Sequence, residues 1–274
     1  MLVGHERALR RGGEGGLARL TEHSNVPDLL DRKAFEAWLA KQRREVCVAI
    51  ATRAAMRVLP GLARLSSMGS ISPVECVTQI LPTFRCLAVA WCAAKYLDNS
   101  LLLQRAAGIA SKDVADQPSA KDVSAASLAA YAAASGGATA VNAAAAAFRA
   151  ADAAFVAAAA SRATDAAYRA AVIDVRSVAN NSEDTKWIDG PLWPMGEPDW
   201  SKVFWADLKS ALPTDEYWDV WTRWWEARRD GLPANKEFEL FRATRDEEFW
   251  KRSPRQINEA IAAEEERLIT LAAA

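Results

Sequence analysis

Residues 217–229 have the sequence YWDVWTRWWEARR and form the centre of the tryptophan-rich part of the chain. Nine of the eleven tryptophans lie between residues 187 and 250. On a helix, Trp218, Trp221 and Trp225 share one face. An adjoining face is formed by Tyr217, Trp221, Trp224 and Arg228. Each indole ring buries about 150–250 Å² and its N–H usually needs an acceptor, so this aromatic surface must pack against another part of the chain or against a partner.

The residues around this stretch predict a helix over residues 214–229. Thr214 is the expected N-cap, and Gly231 followed by Pro233 is expected to end the helix. Arg228 and Arg229 complement the negative end of the helix dipole. The tryptophans are therefore predicted to lie on a helix of about four turns.

Two interpretations of the aromatic surface stay open. In the first, it binds a partner helix, a peptide or a flat ligand through Trp218, Trp221, Trp224, Trp225, Glu226 and Arg228. A catalytic version would pair Glu226 with Glu247 or Glu248, as in glycoside hydrolysis. In the second, the surface is an internal core that the 191–198 loop and the last helices cover. The exposure of the rings in the folded protein distinguishes the two interpretations.

The remaining sequence also favours helices, because no stretch shows convincing period-2 alternation. We expect helices over residues 31–40, 45–59 and 100–115, and one that begins at residue 73 and is kinked or broken at Pro82. Alanine makes up 29 of the residues between 120 and 179, which predicts a long helix from about residue 139 to 178. Further helices are expected after Pro198 and at capping boxes that begin with Thr244 and Ser253. The predicted fold is an all-α multi-helix bundle with a long alanine-rich central helix.

Composition divides the chain into four parts. Residues 1–26 are predicted to be disordered, residues 27–118 form a basic helical part, residues 119–180 an alanine-rich helical tract and residues 181–274 an acidic, tryptophan-rich helical part. Residues 1–112 carry 16 basic and 9 acidic side chains, whereas residues 183–274 carry 13 and 20. Such asymmetry favours an anionic partner for the basic end, or attraction between the two ends within or between chains. A basic helix face, solvated or in contact with an acidic partner, is expected from Arg43, Arg44, Arg53, Arg57 and Arg64.

The residue inventory excludes several kinds of site. His5 and His23, the two histidines, lie in the predicted disordered segment, so we expect neither a catalytic triad nor a histidine metal site in the folded part. No cofactor or metal is expected. The cysteines lack metal-ligand spacing and are predicted to be buried thiols in a reducing compartment: Cys47, Cys76, Cys86 and Cys92. The sequence shows neither a secretory signal nor a membrane span, which favours a cytoplasmic protein without membrane or nucleic-acid partners.

Several short motifs occur along most of the chain from about residue 31. They are FEAWLA at residues 35–40, LPTFR at 81–85, PLWP at 191–194 and VWTRWWEAR at 220–228. Together with the alanine-rich tract they resemble a group of uncharacterised bacterial all-α proteins. The resemblance implies a similar architecture and carries over no activity, cofactor or site residue.

These features favour a non-enzymatic helical interaction or scaffold protein that binds a protein partner or a second copy of itself. Self-association would use the alanine-rich tract or the two oppositely charged ends. The alternative is a small-ligand-binding or hydrolytic domain centred on the tryptophan-rich helix at residues 214–229.

Overall fold

The computed structural model describes residues 27, 31–63, 73–115, 146, 149–153, 164–180 and 186–273. Within these ranges 80% of the chain is helical and no strand occurs, which confirms the all-α prediction. The helices are α1 (Arg32–Leu39), α2 (Arg44–Val58), α3 (Pro73–Lys95), α4 (Ser100–Ala115), α5 (Thr164–Asn180), α6 (Asp199–Ala211), α7 (Asp219–Arg229), α8 (Lys236–Ala243), α9 (Glu247–Trp250) and α10 (Pro254–Ala273). Short 3₁₀ turns occur at Leu59–Leu62, Leu97–Asn99 and Lys186–Asp189.

Helix α2 lies at the centre of the described core. All of its residues from 46 to 58 are buried, because apolar side chains surround the whole helix rather than one stripe of it. It packs against α3 and α5, and α3 in turn contacts α4 and α8. Helix α10 packs against α7 and α8. These contacts bring the tryptophan-rich helices and the N-terminal helices into one core.

The polar residues before several helices cap them as the sequence predicts. Asp31 accepts hydrogen bonds from the backbone N–H groups of Lys33 and Ala34 at the start of α1, at 3.0 and 3.1 Å. Before α10, the Ser253 N–H donates to the Gln256 side chain at 3.2 Å and the Gln256 N–H donates to Ser253 Oγ at 3.4 Å. This reciprocal pair is the predicted capping box.

Two predicted helix starts are wrong. The tryptophan-rich helix begins at Asp219 rather than after Thr214, because Tyr217 has a φ of 56° and this left-handed conformation interrupts the helix. The capping box predicted at Thr244 is replaced by a later cap. There Asp246 accepts a hydrogen bond from the Phe249 N–H at 2.8 Å, which starts the short helix α9.

Two other predictions concern long helices. Helix α3 contains Pro82 and continues through it as one helix, so of the two predicted outcomes, a kink or a break, the break is wrong. Proline has no N–H, so the helix loses one backbone hydrogen bond. The helix tolerates this loss because residues 83–94, which follow the proline, are buried in the core. In the alanine-rich tract, residues 146, 149–153 and 164–180 are helical. The continuity that a long central helix requires lies outside the described residues, as do the predicted disordered segment 1–26 and Arg64.

Two further predictions concern the cysteines and membrane-spanning helices. Cys47, Cys86 and Cys92 are buried free thiols, as predicted, and the Cys76 side chain lies outside the described part. In the described ranges, no single helix is both long and apolar enough to cross a bilayer. Only residues 80–95 and 97–111 together meet that length and hydropathy, and they are bent by 114° relative to each other.

The turn after α7 packs against the loop at residues 189–192. Gly231 has a φ of 70° and follows the last residues of α7, as predicted for a helix C-terminus. The Leu232 N–H donates to the Ala227 carbonyl at 2.8 Å and closes this turn. A Cβ on residue 231 would lie 2.8 Å from the Pro191 nitrogen and 2.9 Å from the Asp189 carbonyl oxygen, so the two segments fit together only because residue 231 has no side chain.

We predict that Gly231→Ala lowers the free energy of unfolding by about 3 kcal/mol or more, because the left-handed backbone and the backbone clash both oppose a Cβ. Gly196→Ala is the matched control, since Gly196 also has a positive φ (95°) but an added Cβ would meet nothing within 4 Å. We expect this control to cost about 1–2 kcal/mol from the backbone conformation alone. Urea denaturation of both variants measures the difference. Equal losses would contradict the proposed packing of the turn on the loop.

Candidate functional site

The tryptophans of α7 lie inside the core. Trp221 and Trp225 have no exposed surface, and Trp218 and Trp224 are 3% and 4% exposed. The Trp221 ring stacks on Phe84 of α3 with ring centroids 5.4 Å apart. The Trp225 ring packs on Trp205 of α6 at 4.0 Å. The surface that could have bound a ligand is therefore covered by other helices of the same chain.

The indole N–H groups of the four tryptophans at residues 218–225, and that of Trp205, each have an internal acceptor. Trp221 donates to Asn258 of α10 at 2.8 Å, and Trp224 donates to Glu239 of α8 at 3.1 Å. Trp225 donates to the Met56 carbonyl of α2 at 3.0 Å. Trp218 and Trp205 donate to Glu216 and Glu226, respectively. Of the two interpretations of the aromatic surface, this arrangement matches the internal core, with α3, α8 and α10 as its cover.

Among the six candidate residues of the tryptophan-rich helix, Glu226 is the one that reaches the surface, and its carboxylate is occupied by internal partners. Its carboxylate accepts hydrogen bonds from Trp205 Nε1 at 2.8 Å and Lys209 Nζ at 2.7 Å. Burial alone would raise the pKa of Glu226, but the hydrogen bonds from Lys209 and Trp205 outweigh it and hold the pKa below its usual value. A general acid needs the opposite shift. Glu247 and Glu248 are exposed and form ion pairs with Lys251.

A small groove lies apart from the aromatic core, between α5 and residues 193–196. It has a volume of about 190 Å³ and is lined by Ala166, Arg169, Ala170, Trp193, Met195 and Gly196. Sites for small organic ligands usually measure about 300–1,000 Å³. None of the six candidate residues of the tryptophan-rich helix lines this groove.

The predicted basic face is wrong for Arg53 and Arg57. Both are buried, with 1% and 2% of their surface exposed, because α2 is enclosed on all sides by other elements. Arg43 precedes α2 and is exposed, with its guanidinium 3.1 Å from Glu45. Arg44 is half-buried. The five arginines therefore do not form one solvated surface.

Arg53 and Arg57 instead form a buried ion cluster with Asp174 of α5, which we call the α2 clamp. Arg53 Nε donates to one carboxylate oxygen of Asp174 at 3.0 Å, and Arg57 Nη2 donates to the other at 2.6 Å. The other guanidinium N–H groups bond to the loop before α6. Their acceptors are the backbone carbonyls of Ile188, Gly190, Pro191 and Leu192, at 2.7–2.8 Å.

Within the α2 clamp, the surroundings of Arg57 shift its pKa. Burial lowers the pKa of Arg57 to about 10, and the Asp174 carboxylate opposes that shift. Both guanidinium groups also lie over indole rings of the loop. Arg53 is 5.9 Å from the centroid of the Trp187 ring, and Arg57 is 5.8 Å from that of Trp193. The two tryptophans thus anchor the loop on the buried arginines of α2.

A second buried ion cluster contains two residues that sequence reasoning missed. Glu239 of α8 lies 3.9 Å from Arg228 Nη1 and 3.4 Å from Arg242 Nη1. Arg228 also donates to the Leu232 carbonyl at 2.8 Å, and the Arg242 guanidinium lies 4.2 Å from the Phe238 ring centroid. We call this group the α8 cluster. Glu239 and Arg242 are three residues apart on α8, a spacing that lets opposite charges pair on a helix. This spacing was the available sequence signal.

Comparison with known proteins gives no identification. No protein-family model, curated protein or solved structure matches the chain. The resemblance to uncharacterised bacterial all-α proteins therefore stays a prediction. Among the described residues, no group of three or more His, Cys, Asp and Glu side chains is placed to hold a metal ion.

We predict that Asp174→Asn lowers the free energy of unfolding by about 3–5 kcal/mol, because it leaves two buried guanidinium groups without their shared counter-ion. Asp230→Asn is the control, since Asp230 pairs with Arg229 at the surface. We expect the control to change stability by less than about 0.5 kcal/mol. Chemical denaturation followed by circular dichroism measures both. A loss at Asp174 as small as that of the control would show that the α2 clamp contributes little.

Proposed function

We propose that the protein is a non-enzymatic helical interaction protein that self-associates, and that it does so through apolar side chains at the start of α4. The observation that carries this proposal is the exposure of Leu101, which is 81% accessible although leucine is among the residues most often buried. Leu97 and Leu102 beside it are 45% and 50% exposed. We call these three residues the leucine patch.

The internal use of the tryptophans supports this choice of surface. Because the rings of α7 and their N–H groups are satisfied within the chain, a partner has to recognise something else. The three leucines are close together in sequence and lie on a short turn and at the start of α4, which follows it. An ion pair between Asp98 and Lys236, 2.6 Å apart, joins this turn to α8. Exposed apolar side chains that lie together are the kind of feature that marks protein interfaces.

The charge distribution supports a second copy as the partner. The first part of the chain carries an excess of basic side chains and the last part an excess of acidic ones. Two copies that associate in an antiparallel arrangement would bring opposite charges together. Part of the basic excess is used inside the chain, since Arg53 and Arg57 are paired with Asp174. The apolar contact is therefore proposed as the main source of affinity, with surface charge acting on orientation.

We predict that the full chain sediments as a dimer at micromolar concentration and that Leu101→Glu converts it to a monomer, because a carboxylate would have to be buried in an apolar contact. Val203→Glu is the matched control, since Val203 is a 55% exposed apolar residue on a different helix. Sedimentation velocity of the three proteins at low and high salt measures the outcome. Circular dichroism should show that both variants keep their fold.

Two results would overturn the proposal. A strict monomer at every protein and salt concentration excludes self-association. A dimer that Leu101→Glu leaves intact, or that Val203→Glu disrupts equally, excludes the leucine patch as its interface. A dimer that persists at high salt agrees with an apolar contact, because ionic attraction between exposed charges is screened there.

A further inference from the structure

The two buried ion clusters have the same composition but different surroundings. Each combines two arginines with one carboxylate and therefore carries one excess positive charge. In the α2 clamp, four backbone carbonyls of the loop accept hydrogen bonds from the guanidinium groups. In the α8 cluster, Arg228 Nη2 donates to a backbone carbonyl at 2.8 Å and Arg242 Nη2 donates to another at 3.4 Å. The α8 cluster thus has more donor groups than acceptors.

Several buried donors around the α8 cluster have no acceptor among the described residues. They belong to side chains that are at least nine-tenths buried, and they are Arg228 Nε and Nη1, Arg242 Nε, Trp91 Nε1 and Tyr96 Oη. Their proximity follows from the contacts between them. The Arg228 guanidinium lies 5.4 Å from the centroid of the Trp91 ring. Tyr96 lies one helical turn after Cys92, whose thiol donates to the Glu239 carbonyl at 3.4 Å, and its ring lies 5.5 Å from Lys236 Nζ of α8.

We propose that the α8 cluster binds one small monovalent anion, of which chloride is the simplest. Four of the five unpartnered atoms are N–H donors and the Tyr96 hydroxyl can also donate, so a ligand that serves all of them must be an acceptor. A buried excess charge of +1 is costly, and one monovalent anion neutralises it. A water molecule would accept some of the hydrogen bonds but would leave the charge uncompensated. The rings of Trp91, Phe238 and Trp224 lie within 6 Å of the guanidinium groups of the cluster, which favours an ion without an organic part.

The neighbouring titratable groups leave the positive charge of the cluster uncompensated. Glu265 acts on Arg242 through its charge, but its carboxylate is paired with Arg223 at 2.7 Å. Burial raises the pKa of the Cys92 thiol far above its usual value, so the thiol stays neutral. Burial also raises the pKa of Tyr96, which keeps its hydroxyl protonated and able to donate. Lys95 and Lys236 lie over the Tyr96 ring at 5.6 and 5.5 Å, and they add positive potential near the cluster. Their own partners are Asp189 and Asp98.

Thermal unfolding of the full chain tests the proposal in solution. We compare sodium chloride or bromide with sodium gluconate at equal ionic strength, so that screening is constant and only specific halide binding differs. An ion that binds the folded state and not the unfolded chain raises the melting temperature by about 5 °C at a hundredfold excess over its Kd. Identical melting curves in halide and gluconate overturn the proposal. The test does not depend on whether the protein self-associates.

Tyr96→Phe separates ion binding from a purely structural role. The variant removes one donor to the ion, so we expect at least half of the halide-dependent shift to disappear. In gluconate the variant should be as stable as the wild type or more so, because it also removes a buried hydroxyl without an acceptor. Tyr217→Phe is the matched control, since the Tyr217 side chain is exposed. Its halide response should equal that of the wild type, and an equal response in Tyr96→Phe overturns the assignment.

Crystals of the full chain grown with bromide locate the ion directly. The expected result is an anomalous peak between Arg228, Tyr96 and Trp91, and no peak at the α2 clamp, whose donors are already bonded to carbonyls and Asp174. Ordered water without anomalous signal at the α8 cluster overturns the proposal. Bromide found only on the protein surface also overturns it.

Discussion

The salt bridge between Asp174 and two arginines of α2 is the contact on which the described core depends. An arginine in the middle of an apolar helix cannot remain buried unless its N–H groups and its charge are both satisfied. Arg53 and Arg57 achieve this with a carboxylate from α5 and with carbonyls of the loop before α6. Because removing either ion from water costs several kcal/mol, the arrangement is stable only when α2, α5 and the loop are together. The α2 clamp therefore couples three segments that are far apart in sequence.

The position of the tryptophan-rich helix follows from this coupling. The α2 clamp holds the loop before α6, and this loop also contacts α7. The Leu192 N–H donates to the Arg229 carbonyl at 2.9 Å. Trp225 of α7 donates to the Met56 carbonyl, which precedes Arg57 on α2. Helix α7 is thus fixed both by α2, which carries the buried arginines, and by the loop that these arginines hold. With α7 fixed there, its aromatic surface is covered by α3, α8 and α10.

Local sequence signals were sufficient for the fold class and for many helix limits, and insufficient for the buried charges. Helices α1, α2, α4 and α10 begin where their caps and periodicity predict, because those signals act within one turn of chain. The burial of Arg53 was not predictable in this way, since its acceptors lie more than 120 residues away and no local pattern announces them. The same limit applies to Trp221, whose cover comes from Phe84 and Asn258. The left-handed conformation of Tyr217 also had no local signal, because tyrosine does not favour it.

The pattern of acceptors around the tryptophans indicates that their role is structural. Trp221 and Trp224 each donate to a particular side chain on another helix, Asn258 and Glu239, and Asn258 in turn donates to the Glu216 carbonyl at 2.8 Å. A ligand that entered between these partners would have to replace each hydrogen bond or leave a buried polar group unsatisfied, at about 1–3 kcal/mol for each group. Few ligands could recover that cost within a closed aromatic core. The association proposed at the leucine patch would avoid this cost, because it would remove apolar side chains from water and break no internal hydrogen bond. The tryptophans are therefore best understood as the framework that holds the surface helices in position.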